Sequence, residues 1–181
     1  SMGAYTPLDG FMGEQDWQGV CNDMKLSDGL FWPIPVTLSA EQALADQIEL
    51  GEEIALIDGE TQQIMAVMTV AEKFAPDLVL QCKKVFGTND ESHPGVAKVM
   101  AQPPVNLGGS VKVIEEGWFP EEFSDLYIRP DQARKMFEDM GWSKVAAFQT
   151  RNPMHRSHEH LVKIAIDVTD GVFIHQVLGK L

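Results

Sequence analysis

The sequence predicts an α/β protein in two parts, a β-rich module over residues 1–124 and the opening of a parallel α/β domain over residues 125–181. Three observations carry this reading. Before Pro120, short apolar runs alternate with turn-forming Gly, Asp and Asn clusters, the pattern of paired strands. After it, an amphipathic helical pattern is followed by an apolar run, a second helical pattern and a second apolar run. Strand, helix, strand in that order is a βαβ unit, and such units imply a parallel sheet. The character of the chain changes near residues 120–128, and no internal repeat or low-complexity tract cuts across that change.

Taken in order, residues 39–50 have a helical look, with Ser39 as N-cap and Gly51 just past the end. Residues 53–57 and 64–70 read as strands flanking Asp58-Gly59-Glu60, a plausible hairpin turn. The stretch from Gly87 to Gly95 is loop-like, and residues 111–114 after Gly108-Gly109 look like another strand. Arg129-Pro130-Asp131 leads into a helix over residues 132–140, with Ala133, Met136, Phe137 and Met140 on one face and Gly141 closing it. Residues 144–148 read as a buried strand. Asn152-Pro153 then starts a second helix, in which Leu161, Ile164, Ala165 and Val168 keep helical spacing. Asp170-Gly171 turns the chain into the buried strand 172–174. The first part therefore reads as a β-barrel-like module and the second as the opening of a doubly wound domain.

Composition narrows the partners. Hydrophobic residues make up 44% and charged residues 23% of the 181, ordinary values for a globular protein. No apolar run approaches the ~20 residues that span a bilayer, so no membrane partner is expected. No basic-then-apolar signal segment opens the chain, so secretion is not expected, although Ser1-Met2-Gly3 reads as a start from which something has been cut away. Acidic residues outnumber basic ones 27 to 14, for a formal charge of −13. A nucleic-acid partner is not expected, because gripping a phosphate backbone calls for a basic face. An anion site remains open to it, provided the site is local. Cys21 and Cys82 are single and far apart, which fits two idle thiols in the cytoplasm better than a zinc or redox motif.

One segment concentrates the hydrogen-bond donors: Gln149, Thr150, Arg151, Asn152, Pro153, Met154, His155, Arg156, Ser157 and His158. It leaves a strand and enters a helix, the place where open parallel sheets bind ligands and where unpaired first-turn N–H groups favour an anion. Asn152 can cap, and Pro153 suits the first helical position. Three of the five histidines fall between residues 155 and 160. Capping alone also accounts for Asn152-Pro153, and His160 and Arg156 read equally well as surface residues, Arg156 as a partner of Glu159 or Asp167. A bare HxxH occurs by chance in many proteins and lacks the further ligands of a zinc site, so no metal site is assigned.

The run from Gln149 to Glu159 closely resembles the signature of the ATP sulfurylases, nucleotidyltransferases with an HxGH-like motif, here His155-Arg156-Ser157-His158. Ser157 stands where the wider superfamily has glycine, a small residue still compatible with close approach of a nucleotide. The resemblance extends to Gly3 through Met12, to Val85 through Gly95 and to Tyr127-Ile128-Arg129-Pro130, in the family's order. It implies a PUA-like β domain followed by a Rossmann-like catalytic domain. It further implies that residues are missing at both ends, including a Gly-Arg-Asp-His element of the pocket, and that the 181 residues alone are inactive.

The resemblance also implies a reaction, ATP and sulfate to adenylyl sulfate and pyrophosphate, reversible, by in-line attack of sulfate on the α-phosphorus. Ionised sulfate needs no general base, so the task is positioning and charge stabilisation. By the same resemblance Gln149 and Arg151 hold sulfate and α-phosphate oxygens, Thr150 belongs with them to the substrate-binding set, and Asn152 stabilises the five-coordinate phosphorus. His155 and His158 contact the β and γ phosphates, with Arg151, Asn152 and both histidines as the catalytic set. Mg²⁺ accompanies ATP through its phosphates, and the full-length enzyme is expected to be a homo-oligomer. Two alternatives stay open: another HxGH-type nucleotidyltransferase with a different acceptor, and a PUA-type RNA-binding protein, against which the acidic balance argues.

Overall fold

The computed structural model describes residues 5–177 and divides between Asp125 and Leu126 into two compact units. Gly3 and Ala4 of the opening signature lie outside the described residues.

In the first unit the elements run β1 (Gly10–Phe11), α1 (Glu14–Asp23), β2 (Leu38–Ala40), α2 (Gln42–Ala45), β3 (Glu53–Ile57), β4 (Ile64–Thr69), β5 (Glu72–Phe74), α3 (Leu78–Val85), α4 (Pro94–Met100), β6 (Val105–Val113) and α5 (Phe119–Glu122). Every strand pairing among them is antiparallel, and β6 is the hub. Its first half pairs with β2 and β5, its second half with β1 and β4, and β3 completes the hairpin with β4. The handover falls at Gly108-Gly109. A Cβ on Gly109 would run into the Thr69 carbonyl oxygen, and its φ of +154° is one that side-chain-bearing residues rarely adopt. The glycine pair expected to precede a strand therefore lies inside one, because it lets β6 pass close to its neighbours while changing partners.

Burial alternates along β4, with Ala66 and Met68 inside, and Val70 continues the same face. Met68, Val70, Val105 and Leu107 form the main core with Ala40, Ala45 and Ile48. Each large side chain fully buried there contributes about 1.5–3 kcal/mol of transfer free energy. The hairpin turn lies where expected. The Asp58 carboxylate accepts from the N–H of Glu60 and of Thr61 at 3.0 and 2.6 Å, and these bonds, Thr61 first, hold its carboxyl below the usual range.

The expected helix over 39–50 is mostly absent. Ser39 belongs to β2, opposite Asn106, Glu41 is the N-cap, and only Gln42–Ala45 are helical. Lys73 explains the early stop: its Nζ donates to the carbonyls of Ala45 and Ile48 at 2.9 and 2.7 Å, satisfying groups that a longer helix would have used internally. Three helices, α1, α3 and α4, lie in the part that the sequence reading took as β-rich. In α1, Trp17, Val20 and Cys21 line the buried face. Trp17 Nε1 donates to the buried Gln81 Oε1 of α3 at 2.6 Å. The loop expected through Gly95 ends sooner, since Pro94 opens α4 and His93 Nδ1 accepts from Gly95 N at 3.1 Å.

The second unit holds α6 (Pro130–Asp139), β7 (Val145–Thr150), α7 (Arg156–Val168) and β8 (Gly171–Gln176). α6 starts two residues before the expected Gln132, and Gln132 Oε1 reaches back to the Arg129 N–H at 3.0 Å. β7 and β8 are parallel and in register from Val145–Gly171 to Thr150–Gln176, the βαβ unit read from the sequence. Its base is tied by Asp170, whose Oδ2 accepts from Lys144 N, Ser143 N and Ser143 Oγ at 2.7–3.0 Å. Gly171 sits against the Trp142 ring, which a Cβ there would penetrate. Phe137 of α6 stacks on Trp142 at 6.0 Å and meets Phe173 edge-on at 5.7 Å, so α6 covers that sheet face.

Candidate active site

Strand alternation distributes the side chains at the carboxyl end of β7. Gln149 points to the face that carries Phe173 and His175, and Phe148 and Thr150 point to the other. Thr150 is 8% exposed, and its hydroxyl is engaged within the loop it opens. Thr150 Oγ1 accepts from the Asn152 N–H and donates to the Asn152 carbonyl, both at 3.1 Å.

That local turn corrects the expected helix start. Asn152 does not cap α7 and Pro153 is not its first residue; the helix begins at Arg156, with His155 as N-cap. Two effects decide this. Pro153 biases Asn152 towards extended backbone, and the Thr150 hydroxyl offers the Asn152 N–H a partner that helix cannot supply. Residues 151–155 therefore form an irregular, exposed loop between strand and helix.

Arg151 and Arg156 are exposed, and neither side chain makes a hydrogen bond or ion pair to another described residue. Glu159 instead pairs with Lys163 at 2.7 Å, which holds its carboxyl below the usual range. The first bond within the helix runs from Glu159 N to His155 O at 3.0 Å. The N–H groups of Arg156, Ser157 and His158 thus lie before it, at the positive end of a thirteen-residue helix.

His155 and His158 stack with ring centroids 3.8 Å apart and planes 22° from parallel. His158 also lies on Phe148, centroids 5.5 Å apart, and its Nδ1 is buried with no hydrogen-bond partner among the described residues. The apolar ring beneath fixes the imidazole pair in place. An anion against the exposed edges of both rings could accept from their N–H groups. His160 is exposed and takes no part in this stack.

Of the residues singled out from sequence, Arg151, Asn152 and His155 lie on the loop between β7 and α7, Thr150 shares the sheet face of Phe148 against which His158 packs, and Gln149 leaves the strand end on the opposite face. Sequence reasoning missed His175. It ended the second strand at Ile174, whereas β8 runs on to Gln176 and sets His175 opposite Gln149, with Gln149 Nε2 and His175 Nδ1 3.3 Å apart. The available signal was the parallel pairing itself, since counting both strands from their turns brings these two side chains together.

Residues 1–116 match the PUA-like domain family and residues 124–181 the ATP-sulfurylase family. The sulfate adenylyltransferase of Pelodictyon phaeoclathratiforme is 60% identical over 180 residues, 99% of this chain and 45% of that protein. Its counterpart from Syntrophobacter fumaroxidans is 58% identical over 181 residues, 99% of this chain and 44% of that one. Among solved structures, the hexameric APS kinase from Thiobacillus denitrificans superposes with a TM-score of 0.72 at 28% identity, over 99% of this chain and 31% of that chain. The chain thus spans about 45% of the length of the curated relatives it matches.

Proposed function

We propose that the protein is a sulfate adenylyltransferase: the chain belongs to the PUA-like domain family through residues 1–116, and its residues 124–181 match the ATP-sulfurylase family. It joins sulfate to the adenylyl group of ATP and releases pyrophosphate, reversibly. The observation that carries the reading is the donor loop from Gln149 to His158, held between the end of β7 and the start of α7. In a chain of net charge −13, it holds Arg151 and Arg156, whose side chains have no partner among the described residues, and a stacked histidine pair beside a helix N-terminus.

Each residue then has a role. Gln149 and Arg151 hold sulfate and α-phosphate oxygens, and the planar guanidinium suits two oxygens at once. Asn152 stabilises the five-coordinate α-phosphorus. Thr150 shapes the loop that presents both neighbours, through its bonds to Asn152. His155 and His158 take the departing pyrophosphate, where negative charge grows as the bond breaks. Catalysis is alignment of two anions and compensation of their charge.

Among the described residues no group of three or more His, Cys, Asp or Glu side chains is placed to hold a metal ion. We assign Mg²⁺ to the phosphates of ATP; no step is assigned to it. No helix is long and apolar enough to cross a membrane. Buried free thiols at Cys21 and Cys82 suit a reducing compartment, and we place the enzyme in the cytoplasm. A homo-oligomeric assembly is in keeping with the hexameric structure it partly resembles.

The test is pyrophosphate release from ATP by the full-length polypeptide. Release that depends on added sulfate is expected. Release that ignores sulfate but follows another nucleotidyl acceptor would replace this reading with a different HxGH-type transferase.

A further inference from the structure

We infer that His175 is a positioning residue for the anion site, acting through the side-chain amide of Gln149; the inference rests on the reading that Gln149 contacts sulfate. Gln149 and His175 are register partners on β7 and β8, and their side chains share one sheet face. Gln149 Nε2 lies 3.3 Å from His175 Nδ1. An amide nitrogen only donates, so this arrangement assigns Nδ1 as the acceptor and the Nε2–H tautomer to the ring.

The chemistry of an amide makes this contact consequential. Its two ends are nearly equal in size and opposite in character, an oxygen that repels an anion and an N–H pair that attracts one. An exposed glutamine that turned its oxygen to sulfate would oppose binding. His175 selects one orientation by accepting one Nε2–H, which leaves the second for the anion. The ring is itself held. It stacks on Phe173 at 6.0 Å with planes 17° apart, and Phe173 meets Phe137 of α6 edge-on at 5.7 Å. The chain of contacts thus runs from the packed base of the βαβ unit to its ligand-facing end.

The experiment uses steady-state kinetics of the full-length polypeptide carrying Gln149→Ala, His175→Ala, His175→Asn and the Gln149→Ala/His175→Ala pair, with thermal melts for each. His175→Ala is expected to raise KM for sulfate about tenfold while KM for ATP and kcat change by less than about twofold, the signature of lost ground-state binding. An Asn oxygen falls near the position of Nδ1, so His175→Asn is expected to recover most of the loss. The double variant is expected to match Gln149→Ala, since His175 has nothing to orient once the amide is gone. Additive losses, an Asn variant as impaired as the Ala variant, or losses that follow the melting temperature would overturn the inference. A sulfate KM raised by Gln149→Ala but not by His175→Ala would overturn it alone. A sulfate KM indifferent to Gln149→Ala would overturn both it and the assignment of Gln149 to sulfate.

Discussion

Arg151 and the histidines carry the sharpest tests, because each has a bland alternative as a surface residue. Arg151 is exposed on an irregular loop and has no partner among the described residues. If it clamps two oxyanions, lysine is a poor substitute, since a point charge does not reproduce the planar fork. In the full-length enzyme Arg151→Lys is expected to lower kcat/KM roughly tenfold, about 1.4 kcal/mol, at an unchanged melting temperature. Wild-type kinetics would remove Arg151 from the site. The histidines divide by geometry. His155 and His158 stack at 3.8 Å at the start of α7, and His160 stands outside the stack. Alanine at either of the first two is expected to cost on the order of 2–4 kcal/mol of transition-state stabilisation, mainly in kcat, comparable to one oxyanion donor. His160→Ala is expected to remain near wild type. Equal losses at all three would mean that the stack is packing and nothing more.

At the scale of elements, the βαβ unit depends on a tie that has no part in chemistry. Asp170 closes the turn after α7 by accepting from Lys144 N, Ser143 N and Ser143 Oγ, at the base of β7. These bonds, with the Lys144 backbone bond foremost, hold its carboxyl below the ordinary carboxylate range. A carboxylate with a depressed native pKa stabilises the fold fully above its unfolded value. That contribution fades as pH falls through the native value. Melting temperature is therefore expected to decline as pH drops below about 4. Asp170→Asn is expected to lower the neutral-pH melting temperature and to flatten that part of the acid decline. An unaltered acid profile in the variant would show that the tie contributes nothing.

For the whole molecule, the question is how much of a working enzyme 181 residues contain. The chain spans about 45% of its curated relatives, and its ATP-sulfurylase match covers residues 124–181. In that stretch two strands are paired. Leu161, Ile164, Ile166 and Val168 of α7 are exposed, the half-buried positions are His158, Val162 and Ala165, and His158 packs on Phe148 of β7. A polypeptide limited to these residues is expected to make no ATP from adenylyl sulfate and pyrophosphate. Luminescence detection of ATP checks this, and substantial formation would show that the site is complete within the two units.

Local chemistry was legible in the sequence itself. The hairpin at Asp58, the order strand–helix–strand after residue 140 and the donor loop from Gln149 to His158 all rest on neighbours a few residues apart. Their signals therefore survive in one dimension. Tertiary structure decided whatever depends on a distant partner. β6 runs through Gly108-Gly109 because strands on both sides give those residues a ladder to join. The helix read over 39–50 shrinks to Gln42–Ala45 because Lys73 takes its carbonyls and Asn106 takes Ser39 into a strand. α1 was hidden because Trp17 and Cys21 gain meaning only once Phe74 and Leu80 cover them, and Val20 only once Met12 and Leu26 do. His175 belongs with Gln149 only through the register of a parallel pair. A propensity is set by the residues themselves, whereas a partner is set by where the rest of the chain lies, and burial and hydrogen bonding reward the partner more.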